Sequence, residues 1–194
     1  MTFEKYPLKT QLILALIFIP PNFLVAYLCN FVLKMPFFMD MIFVYAASFF
    51  GIPCGLITGA GYIVFDAIIR HYNCLHLLYG ICCITGTLLT KLIVTRHKEF
   101  LWFRAVLLVF VSAVVISFEG SIIYALFFSE TGSNENTTIL FLTYTLIQQS
   151  VGLQFSAFLA RLPVNLFDKA IAVFGGFEIF LILDKLVFHH RKHQ

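Results

Sequence analysis

Apolar and polar positions fall along this chain in long blocks, not in the short periods of an amphipathic helix or an alternating strand. Residues 1–10 are polar, with Lys5 and Lys9 leading into an apolar run from Gln11 to about Leu33. That run predicts a first membrane helix, kinked or locally opened at Pro20–Pro21. Leu33 to Ile69 is also almost wholly apolar, yet carries Asp40 near one end and Asp66 near the other. Small residues and two prolines lie between them. This pattern predicts a short helix from about Asp40 to Gly51, a turn at Gly51–Pro53, and a second helix from Pro53 to about Ile69. Pro53 suits a first helical turn, where its missing N–H is no loss. Gly51, Gly55 and Gly59 recur at the four-residue spacing that lets membrane helices approach backbone to backbone.

Further blocks follow in order. Arg70–Asn73 reads as a polar turn and Leu75–Val94 as a span. Thr95–Arg104 is the most basic loop, with Trp102 where an interfacial aromatic belongs. Ala105–Phe128 is a full-length span interrupted by Glu119 and Gly120, and Ser129–Thr138 is a polar loop without Lys or Arg. Ile139–Leu162 is apolar but carries Gln148, Gln149 and Gln154. Pro163 is expected to open a final helix that runs to about Phe188 and ends in the basic tail HHRKHQ.

Lys and Arg set the orientation. The start, the Lys91–Arg104 loop and the tail belong inside, and Ser129–Thr138 outside. Six spans with both termini cytoplasmic satisfy this, with 139–162 as an additional, partly polar helix packed on the outer half. The expected fold is therefore an all-α membrane protein, one integral domain over 1–194, located in the cell membrane.

Composition strengthens that reading. The chain has 194 residues, is 60% hydrophobic and 12% charged, and has a mean hydropathy of +0.92. A soluble domain of this size has no use for so much apolar surface. The net charge of +3 is small and lies in loops, so nucleic acid is not an expected partner. Five cysteines show no metal-type spacing, and a cysteine in an apolar run acts as a small hydrophobe. No metal or cofactor is expected. The first apolar run is too long, and lacks the cleavage site, for a removable signal peptide. No catalytic signature or phosphate-cradling glycine loop is present, so neither enzymatic turnover nor ATP hydrolysis by this chain alone is expected.

Candidate chemistry lies in the ionisable and amide groups at membrane depth, where each is costly and usually functional. Asp40, Asp66, Glu119, Gln148, Gln149, Asn165, Asp168 and Lys169 all fall in the outer half in this orientation. Glu119 stands about nine residues, roughly 14 Å, from the outer loop. Asn165, Asp168 and Lys169 share a face by their i, i+3, i+4 spacing, near the positive end of a helix starting at Pro163. Converging polar groups of this kind describe an outward-facing pocket for a small polar ligand. Internal ion pairs, such as Lys169 with Asp40 or Asp168, are the competing use of the same residues. Glu178 and the Asp184–Lys185 pair lie outside this set.

Three pieces in order resemble the substrate-binding (S) components of energy-coupling factor (ECF) importers. They are KMPFFMDMIFVYAASFFGIPCGLITGAGYIVFDAI, the outer Thr131-Gly132-Ser133 loop, and LPVNLFDKAIAVFGGF. In the first, Ile52 splits a Gly-Pro pair that the family keeps together. The resemblance implies a compact six-helix bundle that binds a vitamin-like or modified-nucleobase ligand from outside, beneath the loop after the first helix. It also implies partners: a membrane scaffold protein and two cytoplasmic ATPases. Many members carry alanines at four-residue spacing on the first helix for docking, whereas this chain has Ala15 followed by Phe18 and Pro20. A related membrane module serves as the sensory input of some histidine kinases, which makes a sensory or regulatory role the alternative. With the chain ending at Gln194, no kinase is expected within it.

Overall fold

The structure is a computed structural model that describes residues 6–35, 37–69, 74–95, 102–127 and 137–188. Seven α-helices are described, with no strand among the described residues: α1 (Leu8–Tyr27), α2 (Ile42–Phe50), α3 (Ile52–Ile69), α4 (Gly80–Ile93), α5 (Trp102–Phe127), α6 (Thr137–Gln148) and α7 (Leu153–Phe188). A π-helical turn, Leu28–Val32, extends α1, and a 3₁₀ turn, Cys74–Tyr79, leads into α4. Three stretches are long and apolar enough to cross a membrane: Leu8–Val32, Ile52–Ile69 and Trp102–Phe127, with hydropathies of 2.2, 1.7 and 2.4. The chain is thus a helical membrane protein, since such stretches leave large apolar faces outward.

The centre of the bundle is its shortest core helix. Nine residues of α2 span about 14 Å, too little to cross a bilayer, and Val44–Phe50 are all buried. α1, α3, α4 and α7 pack around it. A helix this short at membrane depth is tolerated because protein, not lipid, surrounds its ends. Gly51, with φ of 155°, folds the chain back into α3. The two helices then run antiparallel, with Gly55 opposite Ser48 and Gly59 opposite Val44.

The glycine spacing does what the pattern implies, and on more than one side. A Cβ on Gly55 would stand 2.7 Å from Thr87 Cγ2, and one on Gly59 would stand 2.6 Å from Cys83 Cβ, so both glycines admit α4. Gly51 instead admits the Gln11 side chain of α1. At Gly176 of α7 the obstacle is backbone: a Cβ would lie 2.7 Å from Ile42 O and 2.8 Å from Ala46 N.

Ring and polar contacts fix the helix directions. α5 runs antiparallel to α7, with Trp102 against Phe174 at 5.7 Å and Ser117 against Asn165. α2 runs parallel to α7, with Phe49 against Phe177 and Phe180. The Tyr6 hydroxyl donates to Asp184 Oδ1 at 2.6 Å, and the Tyr6 ring meets Phe50 at 5.0 Å. The start of α1, the α2–α3 turn and the far part of α7 therefore share one end of the bundle. At the opposite end, α6 lays Ile139 on Ala160 and Val164, with Phe37 and Phe38 beside them.

Three boundaries differ from the sequence reading. Pro163 does not open the last helix: it lies inside α7, which begins ten residues earlier at Leu153. Residues 139–162 are not one helix, because the chain turns at 149–152, where Ser150 takes φ of 65°. α1 runs through Pro20–Pro21, and its departure from α geometry comes instead at Leu28–Val32. The Arg70–Asn73 turn, most of the Thr95–Arg104 and Ser129–Thr138 loops, the Thr131-Gly132-Ser133 piece and the tail lie outside the described residues.

Candidate functional site

Because α7 is continuous through Pro163, residues four apart on it stay on one face. Arg161, Asn165 and Lys169 form such a row, and all three are buried. The row faces α5. The Asn165 amide donates to Ser117 Oγ at 2.9 Å. Arg161 lies over the Tyr124 ring, 4.8 Å from its centroid, and donates from Nη1 to Ala157 O at 3.0 Å. Gly120 makes room for it, since a Cβ there would stand 3.4 Å from Arg161 Cδ and Nε. A guanidinium over an aromatic face, screened from water, is among the more favourable forms of cation–π contact.

One residue round from Asn165 and Lys169, Asp168 is fully buried and joins α7 to the link between α1 and α2. Its Oδ1 accepts from the Met39 N–H at 2.7 Å and its Oδ2 from Lys169 Nζ at 2.7 Å. Lys169 Nζ also reaches Asp40 Oδ1 at 3.8 Å. The link is held from the other side by α1. Asn22 donates to Asp40 O and accepts from Phe43 N–H, and Asn30 donates to Phe38 O at 2.6 Å. Asn22 thus supplies the cap that α2 lacks from its own chain, whose N-cap position is Met41 with no side-chain bond. Met39, at φ of 52°, takes a conformation uncommon for a side chain of its kind. The bonds on both sides of it hold that geometry.

Below Lys169 the Tyr45 hydroxyl lies beside Ser112, both residues buried. Towards the far end of α5, Glu119 turns to α4. Its Oε1 accepts from the Thr85 hydroxyl, and the Cys82 thiol lies beside the carboxylate. Asp66 is buried in the second half of α3, a helix packed chiefly on α1, α2 and α4. Gln148 and Gln149 are exposed, at the end of α6 and in the turn after it.

Of the eight residues read as a site, the structure joins Asp40, Asp168 and Lys169 by direct contact and sets Asn165 one turn along the same face. Glu119 stands on the neighbouring α4–α5 seam. Asp66 is buried on α3, which packs on α1, α2 and α4, and Gln148 and Gln149 are exposed. Sequence reasoning missed Arg161, Asn22 and Tyr45. Arg161 was legible as the first member of an i, i+4, i+8 row with Asn165 and Lys169, but breaking the helix at Pro163 hid the row. Among the described residues, no three His, Cys, Asp or Glu side chains are grouped to hold a metal ion.

No known protein-family pattern, curated protein or solved structure matches this chain.

Proposed function

We propose that this protein is the substrate-capture subunit of an ECF-type importer, binding a small vitamin-like or modified-nucleobase molecule from the extracytoplasmic side. The observation that carries the reading is the group Asp40–Lys169–Asp168, with Asn165 beside it, where one cation and two carboxylates meet inside the helix bundle. Charges taken out of water are disfavoured unless paired, and inside a membrane protein they mark binding and transport sites. In the orientation that the basic segments favour, Tyr6 and Asp184 sit at the inner face. Lys169 is fifteen residues from Asp184 along α7, about 22 Å, in a hydrocarbon layer of about 30 Å. That places it within about 8 Å of the outer face, where a ligand arriving from outside can reach it.

The 36 residues of α7 span about 54 Å, more than the layer is thick. Its first turns and α6 then stand at the outer boundary. Six crossings, both ends inside, and docking on a scaffold protein with two ATPases belong to the same proposal. Ala15 and Phe18 are buried, so the face of α1 available to a scaffold is Leu12, Ile13, Leu16 and Ile17 instead.

Native mass spectrometry of the detergent-purified protein tests the reading. A retained small molecule, with its occupancy reduced at least tenfold in Asn165→Ala, is expected. Absence of any retained molecule, in a preparation that also pulls down no ATPase, would refute it. Recovery of a histidine kinase instead would move the chain to the sensory class.

A further inference from the structure

The α4–α5 seam holds an acceptor that the fold does not use. Glu119 lies well inside an apolar span of α5. One of its oxygens is taken by the Thr85 hydroxyl, while Oε2 is shielded from solvent and makes no hydrogen bond. The neighbouring Cys82 thiol is a weak donor and does not replace one. Among the described residues, Glu119 has no cation within ion-pair distance, unlike Asp40 and Asp168, which have Lys169. An unmatched buried acceptor in a native fold calls for a missing partner. For a carboxylate that is to stay ionised at membrane depth, the matching partner is a cation.

We propose that Glu119 is the ligand's counter-charge: Thr85 fixes the carboxylate through Oε1, and Oε2 receives a protonated nitrogen of the bound molecule. This rests on the capture reading and narrows its ligand class to compounds bearing an ammonium, amidinium or protonated ring nitrogen. It also divides the labour of the site. The carboxylates of Asp40 and Asp168 are matched internally by Lys169, whereas that of Glu119 is matched from outside the chain. A neutral ligand would leave Oε2 as it stands, and an anionic one would be repelled from it.

Carbodiimide labelling tests the assignment on the wild-type protein. Dicyclohexylcarbodiimide is an apolar reagent that attacks carboxyl groups within a bilayer, and peptide mass spectrometry reads the site of attachment. Benzylammonium chloride is the probe, benzyl alcohol its neutral counterpart, and the exposed Glu178 of α7 the internal control. Labelling of Glu119 should slow at least tenfold with benzylammonium relative to an equal concentration of benzyl alcohol, while labelling of Glu178 is unaffected. Glu119→Gln should lose the protected label and nothing else. Equal slowing by the two probes, slowing that is the same at Glu178, or absence of label at Glu119 overturns the assignment. Its failure is separable from that of the capture reading. A retained neutral or anionic molecule would leave capture standing and remove Glu119. Selective protection of Glu119 in a protein that retains nothing and recruits no ATPase would do the reverse.

Discussion

Gly175 and Gly176 are adjacent on α7, yet replacing each by alanine should have opposite consequences. At Gly176 the new Cβ would lie 2.7 Å from Ile42 O, 2.8 Å from Ala46 N and 3.0 Å from Tyr45 Cβ. A comfortable carbon–oxygen contact is about 3.3 Å or more, so the backbones of α2 and α7 must part by roughly 0.6 Å. No flexible side chain stands there to yield, because the first two obstacles are main-chain atoms of a helix buried on all sides. Overpacking of this kind costs about 1–3 kcal/mol. At Gly175 the nearest atom is Ile42 Cγ2 at 3.7 Å, an ordinary contact. Both substitutions gain the same helix propensity, up to about 1 kcal/mol. Their difference therefore isolates the steric term, and Gly176→Ala should be less stable than Gly175→Ala by about 1–3 kcal/mol. Denaturant titration of the two variants in the same detergent, followed by circular dichroism, measures it. Equal midpoints would show that α2 and α7 are not in backbone contact and would refute the packing on which Asp40 and Lys169 meet.

Asn22→Ala leaves the Phe43 N–H and the Asp40 carbonyl without their partner and should destabilise the fold by about 1–3 kcal/mol. Asn22→Asp keeps only the acceptor and should recover part of that loss in the same titration. Tyr6→Phe removes the hydroxyl bonded to Asp184 at 2.6 Å and should cost about 1 kcal/mol or somewhat more, since the acceptor is charged. In a double-mutant cycle with Asp184→Asn, the two losses should fall short of additive. Lys169→Met removes the cation shared by Asp168 and Asp40 and should destabilise by about 3–5 kcal/mol. Met39 should then show faster amide hydrogen exchange than in wild type. On a cysteine-free background, Gln149→Cys should react with an impermeant maleimide in intact cells and Lys185→Cys only after permeabilisation. The reverse pattern would invert the proposed orientation.

Much of the architecture follows from local chemistry, and local chemistry is what a sequence displays. Apolar blocks longer than a bilayer is thick dictate membrane helices whatever their neighbours are. The α2–Gly51–α3 hairpin was legible because Gly51 and Pro53 act on their own backbone. The four-residue glycine spacing announced close helix approach, though not that Gly55 and Gly59 meet α4 while Gly51 meets Gln11. Ionisable residues and amides in apolar blocks pointed to buried polar chemistry, and Asp40, Asp168, Lys169 and Asn165 lie in or beside one group on α7 and the α1–α2 link.

What the chain's order could not settle were contacts between residues far apart along it. Asp168 takes the Met39 N–H across 129 positions, and Asn22 caps a helix it does not belong to. Pro163 misled for a physical reason. A proline suits a helix start, yet packing against α5 and α6 holds ten residues of helix ahead of it. Tertiary contacts override local propensity in this way because burying a helix face is worth more than one missing hydrogen bond. That continuity sets Arg161 in register with Asn165 and Lys169, and only the packed structure places it over Tyr124. Glu119 shows the same division: its position inside an apolar span is a property of sequence, while the single occupied oxygen is a property of the α4–α5 seam.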